Sequence, residues 1–130
     1  GQRVTFVINS YELFLRSPII GLGTGDFPNE YKELNKINSP EVINTVQPHN
    51  MYMLILSQLG LMGLVSFLLI FYYQFSIALT SRSTLVKNIG VAMPILFLII
   101  MWSDSYLLGH YTSNLFILFS SFIYSNDLND

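Results

Sequence analysis

The sequence predicts an all-α, polytopic membrane protein fragment, and three observations carry that reading. Of its 130 residues, 52% are hydrophobic and only 11% charged, where a soluble domain carries about a quarter charged. Residues 51–79 form a run of 29 positions without a formal charge; as one helix it would stretch about 43 Å, against a hydrocarbon core about 30 Å thick. Charge is also segregated: nine of the fourteen acidic and basic residues lie in residues 1–50, whereas 51–125 hold only Arg82, Lys87 and Asp104. A net charge of −2 without a basic tract gives no footprint for nucleic acid. The absence of cysteine removes disulfides and thiolate metal sites. The first residues lack the basic region and cleavage site of a signal peptide, so the chain reads as the C-terminal part of a longer protein.

Each element has its own signal. Residues 2–16 place Val4, Val7, Ile8, Tyr11, Phe14 and Leu15 at the i, i+3, i+4 spacing of one helix face, and Pro18 biases Ser17 away from helical angles, ending that helix near Arg16. The following PIIGLGTGDF has glycines at 21, 23 and 25, a pattern for a tight loop with close backbone approach. Residues 28–48 are polar and Asn-rich between Pro28 and Pro48, with one short helix expected over 30–38. The boundaries that follow are a loop region over 1–50, membrane helices at about 51–79, 89–108 and 110–124, and a tail at 126–130. The last helix, about a dozen apolar residues, reads as a third span that borrows residues from Leu107 onward or as a helix that stays partly in the interface, giving two to three spans in all. Arg82 and Lys87 put the turn between the first two spans in the cytoplasm, and His49 on the outer face. Gly60 and Gly63 read as sites where a neighbouring helix comes close.

Antiparallel spans bring the start of the first and the end of the second to one membrane face, so His49, Asp104 and His110 share a level, with Arg3 and Arg16 on the same side. An imidazole titrates near neutrality and can take a proton from an attacking hydroxyl; an arginine fork holds phosphate oxygens in paired charged hydrogen bonds. Together they suit transfer chemistry on a lipid-linked phosphate ester. Blander readings stand beside these. His49 reads equally as an interfacial polar residue, Asn50 as a helix N-cap, Asp104 as an interfacial acid that needs a partner or water, and Arg3 as a headgroup-facing charge.

The order Arg3, then Pro18-Ile-Ile-Gly21-Leu-Gly23-Thr-Gly25-Asp-Phe27, then His49-Asn50-Met-Tyr52, then Gly60-Leu-Met-Gly63 resembles the C-terminal region of the O-antigen ligase/polymerase family. The resemblance implies a glycosyltransferase of the GT-C type in the bacterial inner membrane, working on its periplasmic face without a nucleotide sugar. It would move a glycan from undecaprenyl pyrophosphate to an acceptor hydroxyl on lipid A–core, on a growing polysaccharide or on a protein. Carried onto this chain, His49 is the expected base, and Arg3, Asn50, Gly23, Gly25 and Asp104 are expected at the substrate, with the glycine loop shaping the pocket. The resemblance implies no cofactor, and no cluster of metal ligands is visible. Ligase, polymerase and protein-transferring branches stay open, as does a reading from another class: a segment of a non-enzymatic transporter in which Asp104 and the histidines line a polar path.

Overall fold

The computed structural model describes residues 1–125, and the expected tail at 126–130 lies outside them. Among the described residues there is no strand. The chain runs through α1 (Gln2–Arg16), α2 (Phe27–Asn38), α3 (Met51–Thr80), α4 (Thr84–Ser103), a 3₁₀ turn at Tyr106–Leu108, and α5 (His110–Ser125). Among the described residues, which are all-helical in their regular structure, α3 and α4 are the two helices long and apolar enough to cross a membrane, as in a membrane protein. Two compact units divide the described residues, one built from Gly1–Ser66 with Met101–Ser105, the other from Phe67–Ile100 with residues 106–125.

In the first unit α1 ends at Arg16, with the Ser17 N–H bonded to the Phe14 carbonyl. The face that α1 buries is not the apolar stripe expected from its sequence. Phe6, Asn9, Ser10 and Leu13 are buried, whereas Val4, Ile8, Tyr11 and Leu15 are about half exposed. The reason is that Asn9 and Ser10 find partners. Asn9 Nδ2 donates to the Tyr31 hydroxyl at 3.3 Å and to Asn35 Oδ1 at 3.1 Å, and the Ser10 hydroxyl donates to the Phe6 carbonyl at 2.6 Å. Once bonded, polar groups cost little to bury. Asn35 extends the network to the loop by donating to the Val42 carbonyl at 2.7 Å and to Asn44 at 3.2 Å. Burial pushes the pKa of Tyr31 up, an effect the Asn9 hydrogen bond partly opposes. The second helix starts three residues earlier than expected because Pro28 fits its first turn, where a missing N–H is harmless.

α3 is broken once. At Gly60 the backbone leaves helical geometry (φ 65°, ψ −163°), which separates the Leu61 and Met62 N–H groups from the carbonyls of Ser57 and Gln58, their partners in an unbroken helix. The loop after α1 slots into the gap. Leu61 donates to the Pro18 carbonyl at 2.9 Å and Met62 to Ile19 at 3.2 Å, while the freed Ser57 and Gln58 carbonyls accept Leu22 at 2.9 Å and Gly23 at 3.0 Å. All four interrupted groups are thus satisfied by backbone. A Cβ on Gly21 would lie 2.2 Å from the Gln58 carbonyl carbon, and one on Gly60 2.4 Å from the Ile19 oxygen. Gly60 therefore admits a loop of its own chain, where a neighbouring helix was expected.

In the second unit α5 packs on α3 and α4. Phe116 meets Phe71 and Phe97 at ring separations of 5.7 and 4.8 Å. Gln74 donates to Ser120 at 3.0 Å, and the Tyr124 hydroxyl donates to the Gly90 carbonyl at 2.7 Å. α4 begins at Thr84, five residues before the expected start. Ser83 supports that start by accepting the Val86 N–H at 3.4 Å. α4 also stops at Ser103, five residues short of the expected end. The 16 residues of α5 make a helix of about 24 Å.

Candidate functional site

The site lies within the first unit, where the start of α3 meets the last turn of α4. Helix ends leave backbone groups without partners, and here side chains supply them. Asn50 caps α3, its Oδ1 accepting the Met53 N–H at 3.0 Å, and its Nδ2 donates to the Trp102 carbonyl at 3.0 Å. Arg3 reaches from the first turn of α1 to the next carbonyl, that of Ser103, at 3.1 Å. A cation at the carbonyl end of a helix also meets the negative pole of its dipole.

His49 directly precedes this cap. It adopts a left-handed conformation (φ 53°), uncommon outside glycine though less so for histidine than for most residues. That turn carries its ring to Asp104, with Nδ1 and Oδ1 3.1 Å apart and each side chain 31% exposed. The same Asp104 oxygen accepts the Ser105 N–H at 2.7 Å, which holds the carboxylate in place. An ionised carboxylate only accepts, so opposite a charged Asp104 Nδ1 is the donor, and a neutral imidazole in that pairing has its lone pair on Nε2. On its other side the imidazole lies against Phe6, ring centres 5.9 Å apart and tilted by 30°. Phe6 in turn packs edge-on against the buried Tyr31. Beside the pair is a hollow of about 360 Å³ whose polar lining includes Arg3, His49 and Asn50, with Val4, Val7, Ile8, Met53 and Trp102 as its apolar wall.

Of the residues expected at the site, His49, Asp104, Arg3 and Asn50 come together. Asn50 has both ends of its amide committed to backbone. The glycines do not join them. Gly23 gives its N–H to Gln58, Gly25 lies in the turn before α2, and neither lines the hollow. Arg16 pairs with Glu30 at 2.9 Å, and His110 opens α5 in the other unit. Among the described residues no group of three or more His, Asp or Glu side chains gathers as metal ligands. Phe6 and Trp102 were not expected at the site. A signal for Phe6 existed, since it lies one helical turn after Arg3 and so shares its face.

Such a fold and site define an all-helical membrane protein that holds a histidine–carboxylate pair and an arginine at the end of an apolar helix. The O-antigen ligase family model matches residues 1–68, just over half of the chain. The chain belongs to that family. Comparison with curated proteins and with solved structures gives no significant match.

Proposed function

We propose that this chain is the C-terminal part of an inner-membrane glycosyltransferase of the ligase type, acting at the extracytoplasmic face on a glycan carried by undecaprenyl pyrophosphate. The acceptor hydroxyl oxygen attacks the anomeric carbon as the bond from that carbon to the phosphate oxygen breaks. The hydroxyl proton passes to His49 Nε2, and the leaving pyrophosphate carries away the bonding electrons. Asp104 acts one step back from the reaction, as a positioning residue that sets the tautomer and orientation of His49. Arg3 is the cation for the pyrophosphate, whose charge grows as the bond breaks and gains most from a fixed donor in a partly dry site. The apolar wall suits the first isoprene units of the carrier.

The observation that supports this reading best is the His49–Asp104 pairing on a hollow that also holds a guanidinium. The test is complementation of a deletion strain with the full-length protein carrying His49→Asn or Arg3→Ala. Asparagine tolerates left-handed backbone, so the first change removes the base without straining the turn. The variants are expected to insert normally and to leave glycan on the lipid carrier. Wild-type glycan assembly in both would reject the roles assigned. The form of the unprocessed glycan separates the branches: lipid A–core without long chains marks a ligase, a single-repeat product a polymerase, and an unmodified protein the third.

A further inference from the structure

We propose that the bilayer surface meets this protein at the junction where the loop enters α3, with Ile19 and Ile20 dipping into hydrocarbon beside Leu61 and Met62. Residues 51–59 would then stand outside the hydrocarbon as part of the first unit. Four observations within that unit point there. The first is a change of burial along α3: Met51, Leu54, Ile55, Leu56 and Ser57 are buried, whereas Leu61, Met62 and Val65 are 48%, 61% and 56% exposed. The second is that Ile19 and Ile20, beside the break, are 63% and 69% exposed.

Backbone chemistry is the third. Irregular backbone in contact with lipid must have its polar groups satisfied. Here Pro18 has no N–H, the Pro18 and Ile19 carbonyls take the Leu61 and Met62 amides, and Gly21 donates to Ser17 at 2.9 Å; the Ile19 and Ile20 N–H groups have no such partner among the described residues, so the loop's backbone stays at the surface and only the two isoleucine side chains dip. The fourth is charge. Arg16 and Glu30 pair just before the loop, while residues 17–25 and 51–81 carry no charged side chain; the ion pair thus marks the water side. Length agrees, because residues 61–80 form about 30 Å of helix, a match to the hydrocarbon core, whereas 51–80 would exceed it by half. The occupant these features fit is acyl chain, since the patch continues an apolar helix that itself needs lipid and offers no polar group to a protein partner.

The test uses the full-length protein in phospholipid liposomes, with single cysteines carrying a nitroxide at Ile20, Met62 and Ile37. Ile37 is 79% exposed on the charged second helix and serves as the aqueous reference. Collision rates with oxygen and with a water-soluble nickel chelate are then compared. At positions 20 and 62 oxygen is expected to dominate and the chelate to be excluded, with the order inverted at 37. Chelate access at 20 equal to that at 37 would put the loop in water and overturn the proposal. Exclusion of both reagents at 20 and 62 would show protein covering the patch and would overturn it too. Neither result bears on the role of His49.

Discussion

Replacing Gly60 by alanine tests the loop insertion directly. The native backbone there (φ 65°, ψ −163°) is a conformation nearly restricted to glycine, so holding alanine in it costs about 1–3 kcal/mol. The added Cβ would also lie 2.4 Å from the Ile19 oxygen and 2.5 Å from its carbon, and since both are backbone the clash is relieved only if the loop retreats. Retreat loosens four hydrogen bonds, each worth about 0.5–1.5 kcal/mol net. The two effects together amount to about 3–9 kcal/mol. Gly25→Ala is the control. Its φ of 95° brings similar strain, but nothing lies within 4 Å of its Cβ, so the cost stays at about 1–3 kcal/mol. Both variants of the full-length protein would be unfolded at equilibrium in mixed detergent micelles and followed by loss of helicity. A Gly60→Ala cost no larger than that of Gly25→Ala would refute the claim that the loop completes the broken helix.

Further expectations follow from the site and its supports. Asp104→Asn offers Nδ1 an amide and favours the wrong tautomer of His49; transfer by purified enzyme should slow by about 10²- to 10⁴-fold with the donor KM little changed, and an unchanged rate would remove Asp104 from the mechanism. Asn50→Ala deletes a helix cap worth about 0.5–2 kcal/mol and frees the Trp102 carbonyl; Asn50→Asp should restore the cap alone, as a partial recovery in the same micelle titration. Asn35→Leu removes one of the two acceptors of the buried Asn9 amide, leaving only the Tyr31 hydroxyl, and takes the donor from the part-buried Val42 carbonyl; a loss of about 1–3 kcal/mol is expected, and normal stability of that variant would contradict a satisfied buried network. Because burial raises the folded-state pKa of Tyr31, its stabilisation is complete below the ordinary tyrosine value near 10 and is lost as pH climbs past it, when the unfolded chain ionises first. The drop in unfolding midpoint between about pH 9 and pH 11 should therefore shrink in Tyr31→Phe, and an equal drop in both proteins would speak against the burial effect.

The meeting of His49 with Asp104 was legible in the sequence because two antiparallel spans place the start of one beside the end of the other. The cap at Asn50 was legible too, since capping depends on residues three apart. The buried face of α1 was not. A count of apolar residues favours Val4, Ile8, Tyr11 and Leu15, and only the amides of α2 and the following loop make burial of Asn9 affordable. The glycines at 21 and 60 announced close approach without saying to what, for the partners lie about forty positions apart.

Composition and charge by themselves determined a helical membrane protein, and the order of motifs its family, because those signals are local or additive along the chain. Tertiary structure alone decided where α3 breaks, which face of α1 is covered, and that the glycine loop serves the helix instead of lining the hollow. Each of these depends on hydrogen bonds between distant backbone or amide groups, and no stretch of sequence carries its distant partner with it.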